Sequence, residues 1–256
     1  MMKPRTLILR AAGTNCDVEL AHGFELAGAT AQRVHLNRLI DEPDQLHEYQ
    51  LLGLPGGFSY GDDIAAGRIL ANRLRQRLYP ALRQFIANGK PIIGICNGFQ
   101  ALIKTGLLPG FELGDAPPAQ CATLTDNTLP RFVDRWVGLR AEPGTRCVWT
   151  RGLDRFELPI AHGEGRFVAS DEVLDQLESA GQVALRYTDN PNGSMRDIAG
   201  VCDPTGLVFG LMPHPERFLD VTNHPGWTRE AIEGAAGRTF FQNAVEHVSS
   251  EAATRT

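Results

Sequence analysis

The sequence predicts an α/β fold: a central, mostly parallel sheet with helices on both faces and an antiparallel extension. Three observations carry this. Short apolar runs alternate with stretches of helical periodicity over the first hundred residues. Glycine-rich turns follow directly on two of those runs, at Pro55-Gly56-Gly57 and at Gly94-Ile95-Cys96-Asn97-Gly98. After Gly106 the helical pattern gives way to successive β-like runs. Strands joined through helices by right-handed crossovers give a parallel sheet covered on both sides. Strands that follow one another without helices add antiparallel pairs.

The elements follow in order. Thr6–Arg10 is the first strand. Gly13–Asp17 is a loop in which Asn15 or Asp17 is placed to cap the next helix. Val18, Ala21, Phe24 and Ala27 give that helix its apolar face, and Gly28 ends it. Ala31–Leu36 reads as strand two. The polar stretch Asn37–His47 crosses to strand three, Tyr49–Leu54. Ile64–Leu78 reads as a helix on a Leu70, Leu74, Leu78 stripe; Arg73, Arg75 and Arg77 lie off the stripe, on a solvated face or a partner contact. Pro80–Asn88 is a second helix, and Ile92–Ile95 a short buried strand. Residues 107–119 read as loop. Phe132–Leu139, Arg146–Thr150 and Phe156–Ala161 read as strands of the extension. Asp171–Ala180 is an amphipathic helix, Gln182–Tyr187 a strand, and Asn190–Ser194 a turn. Ile198–Cys202 and Leu207–Met212 form a hairpin, and a last helix spans Ile232–Val248, with a frayed tail from Ser249. With no internal repeat and no low-complexity linker, the 256 residues read as one domain over 1–256, its core at about 6–248.

Bulk properties narrow the function classes. The chain is 43% hydrophobic and carries a net charge of −5 with the two signs interspersed, which argues against a nucleic-acid or membrane surface. Its five cysteines are odd in number and contain no C-x-x-C pair, which argues against a disulfide framework or a zinc ribbon and for a reducing, cytoplasmic compartment. No 18-residue apolar stretch occurs, and the N-terminal apolar run is too short for a signal peptide.

Gly94–Gly98 has the form of a nucleophile elbow, G-x-nucleophile-x-G, with Cys96 at its centre. Glycines two before and two after allow strand and helix to pass closely. The turn sets the sulfur at a helix N-terminus, where the dipole favours thiolate, and leaves the Asn97 N–H to bind an oxyanion. A buried core cysteine would fit the same five residues taken alone. Two other stretches favour catalysis. Met212–Arg217 places His214 and Glu216, a base and a carboxylate to orient it, directly after a strand, with Pro213 and Pro215 fixing the backbone around the histidine. The Pro55-Gly56-Gly57 loop lacks G-x-x-x-x-G-K-[ST], so it is no nucleotide P-loop; an oxyanion role for the Gly57 N–H fits better, with a plain strand-to-helix turn as the alternative. His214-x-Glu216 without P-C-x-x-C excludes a zinc deaminase site, and no metal site is expected. Cys16 opens a helix but has no assignable base. His162, between Ala161 and Gly163-Glu164-Gly165, is a rival general base whose glycine context suits a substrate-contacting loop better.

With Cys96 in GICNGFQ and His214 and Glu216 in PHPER, the chain resembles class I glutamine amidotransferases. GTNCD (13–17), PGGFSYGDD (55–63), AHGEGRF (161–167) and NPNGS (190–194) resemble, more narrowly, glutaminase subunits of phosphoribosylformylglycinamidine synthases. The resemblance runs from about Thr6 to about Val248; residues 218–236 match nothing assignable. It implies a flavodoxin-like fold and a Cys96–His214–Glu216 triad that hydrolyses glutamine to glutamate and ammonia through a thioester. It also implies an oxyanion hole of the Gly57 and Asn97 N–H groups, and glutamine contacts from Gln100, Gly163 and Glu164. No cofactor is expected in this chain. The implied partners are glutamine, an ATP- and Mg-using synthetase subunit that receives the ammonia, and a small accessory subunit. A related cysteine peptidase and a non-catalytic glutamine-binding subunit are the other classes open to this sequence.

Overall fold

Apolar runs too short to be buried as helices become the strands of one large sheet. A computed structural model of the chain describes residues 3–254. Through the first hundred residues, strands and helices alternate: β1 (Arg5–Arg10), α1 (Asp17–Leu26), β2 (Thr30–His35), α2 (Leu36–Asp41), β3 (Leu51–Leu54), α3 (Arg68–Arg73), α4 (Tyr79–Ala87), β4 (Ile92–Ile95) and α5 (Asn97–Thr105). Then come β5 (Ala122–Thr125), β6 (Val133–Ala141), β7 (Arg155–His162), β8 (Arg166–Ala169), α6 (Asp171–Ser179), β9 (Val183–Tyr187), β10 (Ile198–Cys202), β11 (Val208–Leu211) and α7 (Gly237–Thr254).

The nine-stranded sheet runs β2-β1-β3-β4-β11-β10-β9-β6-β7. The first five of these strands are parallel, and the last four extend them antiparallel. β5 and β8 form a separate antiparallel pair. The parallel strands β3, β4 and β11 are buried throughout, as strands covered on both faces must be. Neighbouring residues of β3 show the two covers. A Cβ on Gly53 would lie 2.9 Å from Leu20 of α1, whereas Gly98 of α5 leaves no room beside the Leu54 carbonyl. α1 packs against α7 through Phe24 and Phe241, rings 5.0 Å apart at 67°. Chain order reverses between β1 and β3, so a crevice opens at the carboxyl ends of the strands there. The loops after β1, β3, β4 and β11 all reach that end.

Several expectations are corrected. The helix expected over Ile64–Leu78 begins only at Arg68 and widens into a π-turn over Leu74–Leu78. Gly67, at φ +70°, stops the helix from starting earlier, and it lies so close to Ala101 of α5 that a Cβ would come within 2.9 Å. The wide turn resets the helical register ahead of Pro80, which sits in the first turn of α4. Arg146–Thr150 is not a strand. Val148–Thr150 is a 3₁₀ turn, pinned where Trp149 donates to the Leu207 carbonyl and its ring meets Phe24 edge-on. The last helix starts at Gly237, not Ile232, because its first turn presses on the Pro215 and Phe218 carbonyls, and its helical path runs on past Ser249. The residue capping α1 is Cys16. Asp17 instead begins the helix and pairs with Arg10 and Arg33 at 2.8 and 3.2 Å. The stretch Asn37–His47, expected as a polar crossing, holds most of α2 and of a short 3₁₀ helix, Pro43–Glu48. No helix among the described residues is long and apolar enough to cross a membrane.

Candidate active site

The elbow forms as the glycines require. Cys96 stands between β4 and α5 at φ +51°, a left-handed conformation that a side-chain-bearing residue adopts only under constraint. Its N–H donates to the Leu211 carbonyl of β11 at 2.8 Å, and its carbonyl accepts from Gln100 of α5. A Cβ on Gly94 would come within 2.5 Å of Leu102 and 2.8 Å of Gly98, so both glycines are needed for strand and helix to cross. Cys96 is 5% exposed, and its thiol donates to the Ala161 carbonyl at 3.7 Å.

His214 follows β11, held by its N–H on the Pro159 carbonyl at 2.9 Å. Its Nδ1 lies 2.7 Å from Glu216 Oε1, and both side chains are buried. The hydrogen bond to a carboxylate fixes Nδ1 as the protonated nitrogen and leaves Nε2 free; no hydrogen-bond partner meets it among the described residues. Burial opposes charge on the imidazole, but the charges of Glu216 and Cys96 outweigh it and hold the His214 pKa well above its ordinary value. Gly56 permits the approach of the Cys96 and His214 side chains. A Cβ there would lie 2.8 Å from the His214 ring, 3.3 Å from the Cys16 sulfur and 3.5 Å from the Cys96 Cβ.

Around this triad sit the other expected residues. The Gly56 carbonyl accepts from the Asn15 and Cys16 N–H groups, and the Phe58 N–H donates to the Gly13 carbonyl. The intervening Gly57 N–H takes no part in those bonds. Gly57 stands at φ +137°, with the Gly13 carbonyl 2.8 Å from where a Cβ would be. A cavity of about 240 Å³ is lined by Gly57, Cys96, Gln100, His162, Gly163 and Glu164, together with Asp62, Asp126 and Phe132. Gln100 is already engaged: its Nε2 donates to the Glu164 carbonyl at 2.6 Å, and its Oε1 accepts from Asn97 Nδ2 at 2.9 Å. His162 faces the same cavity, but burial lowers its pKa to about 4, so it is neutral at ordinary pH. Its Nδ1 lies 3.1 Å from Asn127 Oδ1, and no carboxylate orients it as Glu216 orients His214.

Three functional features escape the sequence reading. Cys16, without an assignable base in the sequence, lies beside the triad: one ligating atom each of Cys16, His214 and Glu216 falls within 4.8 Å of the others. Its sulfur accepts from Arg217 at 3.1 Å and donates to Asn15 Oδ1 at 3.1 Å. The Asn97 side chain, not only its N–H, organises the site. Its Oδ1 accepts from Ser59 N–H at 3.1 Å and its Nδ2 donates to Asp62 Oδ1 at 3.0 Å, tying the loop after β3 to the nucleophile's helix. Asn127 clamps the loop after β7, donating to the His162 carbonyl and accepting from Gly165 N–H. GTNCD and the asparagines were visible signals, but only the fold brings them to one place.

Residues 3–248 match the CobB/CobQ-like glutamine amidotransferase domain, and the chain belongs to that family. Within the wider set of relatives, it is 47% identical over 254 residues to a phosphoribosylformylglycinamidine synthase subunit PurQ of Dehalococcoides mccartyi, covering 96% of this chain and 98% of that one. The PurQ subunit of Treponema denticola is 44% identical, covering 84% and 88%. A chain in the structure of PurLQS from Thermotoga maritima superposes with a TM-score of 0.76 at 34% identity, covering 96% of this chain and all of that one. A second Thermotoga maritima glutamine amidotransferase, 14% identical with a TM-score of 0.56, shares the fold.

Proposed function

We propose that this chain is the glutaminase subunit of a phosphoribosylformylglycinamidine synthase and serves purine biosynthesis by supplying ammonia to a separate synthetase subunit. The observation that carries the chemistry is the convergence of Cys96, on a strained elbow, with the buried His214–Glu216 pair. The relatives' shared name carries the pathway.

Cys96 attacks the side-chain amide carbon of glutamine as a thiolate. The developing oxyanion meets the N–H of Asn97, at the start of α5, and the unengaged N–H of Gly57. His214 protonates the departing ammonia, leaving a thioester on Cys96, then takes a proton from water as the water attacks the thioester. Glutamate leaves and the thiol is restored. Glu216 keeps His214 in the tautomer that presents Nε2 throughout. Gln100, Gly163 and Glu164 wall the glutamine cavity. ATP and Mg act on the synthetase partner, which in this reading also carries a small accessory subunit. The chain works as a single amidotransferase domain in the cytoplasm, where its five unpaired cysteines remain reduced.

The test is covalent trapping. A glutamine-analogue electrophile, 6-diazo-5-oxonorleucine, is expected to label Cys96 alone, located by peptide mass mapping. Labelling of Cys16, Cys121, Cys147 or Cys202 with Cys96 unmodified would contradict the assignment.

A further inference from the structure

The cavity that leads to Cys96 has a one-sided charge. Its lining carries three carboxylates, Asp62, Asp126 and Glu164, and no lysine or arginine. Two of the three are committed to the protein itself. Asp62 Oδ1 accepts from the Gly67 N–H and from Asn97 Nδ2, both at 3.0 Å, and Glu164 Oε2 accepts from the Ala66 N–H at 3.0 Å. Asp126 is exposed, and none of the described residues donates to its carboxylate. It is nevertheless held in place. It follows directly on β5, whose last residue Thr125 pairs with Arg166 of β8. The next residue, Asn127, is 3% exposed and bonds through its N–H to the Gly163 carbonyl at 2.9 Å and through Nδ2 to the His162 carbonyl at 3.0 Å.

His162 lines the same cavity. It is 3% exposed, and its buried Nε2 has no partner among the described residues. Asn127 Oδ1 already accepts from Gly165 N–H, so the His162 Nδ1 facing it at 3.1 Å is the protonated nitrogen. Nε2 is therefore an acceptor. The cavity thus offers the open carboxylate of Asp126 to a ligand that carries N–H groups. Glutamine has two such groups, the amide that reacts at Cys96 and one cation, the α-ammonium at the opposite end of the molecule.

We propose that Asp126 binds the α-ammonium of glutamine and sets the preference for an α-amino acid amide over an amide that lacks the amino group. The proposal rests on the glutaminase reading. A charge-assisted hydrogen bond forms between the ammonium and the carboxylate, strengthened as the bound substrate displaces water from both. Asp126 makes this contact in the ground state and the transition state alike, so its loss acts on KM and leaves kcat in place.

The experiment is steady-state hydrolysis by the complete complex, with the synthetase partner present, using L-glutamine and 4-carbamoylbutanoate, which is glutamine without its amino group. Wild type, Asp126→Asn, Asp126→Glu and Glu164→Gln are compared. In Asp126→Asn the KM for glutamine is expected to rise about tenfold to a hundredfold with kcat little changed, the size of one charged hydrogen bond. The KM for 4-carbamoylbutanoate is expected to stay put, so the preference collapses, whereas Asp126→Glu retains it. Unchanged discrimination in Asp126→Asn overturns the proposal. So does a collapse of its kcat instead of its KM, or loss of discrimination in Glu164→Gln alone. A wild-type complex that hydrolyses no glutamine overturns the glutaminase reading, and the proposal with it.

Discussion

At the scale of single residues, the site depends on what stands against His214. Burial would make its imidazole hard to protonate, and the charges of Glu216 and Cys96 reverse that. Glu216→Gln removes one of those charges while keeping the shape, so the His214 pKa is expected to fall. The alkaline limb of the pH profile of kcat/KM should then move to lower pH, with kcat down by roughly a thousandfold or more as the tautomer is lost. His162 shows the opposite case. With its folded pKa lowered to about 4, the unfolded chain binds a proton below about pH 6.5 that the folded chain refuses. Stability is therefore fully present above about pH 6.5 and falls as the pH drops toward 4, by up to ~3 kcal/mol. Urea unfolding across that range should show a shallower decline in His162→Gln than in wild type. The candidate triad of Cys96, His214 and Glu216 was legible in the sequence, because the elbow and the proline-flanked histidine are local patterns. The place of Cys16 beside His214 was not, since Cys16 and Arg217 lie 201 residues apart and meet only through the fold.

Among the elements, the loop after β3 and the helix α5 act together. Tyr60, Gly61 and Asp62 all take positive φ, a strained run held by the Asn97 side chain from the first turn of α5. Burial raises the Asp62 pKa, and the bonds from Gly67 and Asn97 only partly offset it. Asn97→Ala leaves the backbone N–H of residue 97, proposed to bind the oxyanion, in place but strands the Ser59 N–H without its acceptor, at a cost of about 1–3 kcal/mol. Amide exchange is expected to quicken over residues 58–67 while β1, β3 and β4 stay protected, and kcat should fall at least tenfold as the Gly57 N–H loses its aim. Protection unchanged at residues 58–67 would show that Asn97 does not hold the loop. Strands and most helices were readable here from periodicity. The late start of α3 was not, because Ile64 and the Leu70 stripe look helical while close packing of Gly67 on α5 decides where the helix begins. Trp149 similarly turned an apolar run into a 3₁₀ turn through a bond to Leu207, just ahead of β11 and distant in sequence.

For the whole molecule, the doubly covered parallel sheet brings the ends of β1, β3, β4 and β11 to one crevice, and its antiparallel extension supplies Ala161 and the 162–165 loop to close that crevice from the side. That parallel core was legible from the alternation of runs. The antiparallel order β11-β10-β9-β6-β7 was not, because pairings between strands distant in sequence leave no local pattern. In the proposed function, Cys96 releases ammonia from glutamine for use by another subunit. Product formation by the reconstituted complex, assayed with glutamine and separately with ammonium salt as the nitrogen source, tests it most directly. The Cys96→Ala complex is expected to lose glutamine-dependent synthesis entirely and to keep ammonia-dependent synthesis at the wild-type rate. Glutamine-dependent synthesis that survives in Cys96→Ala would show that Cys96 is not the source of the ammonia.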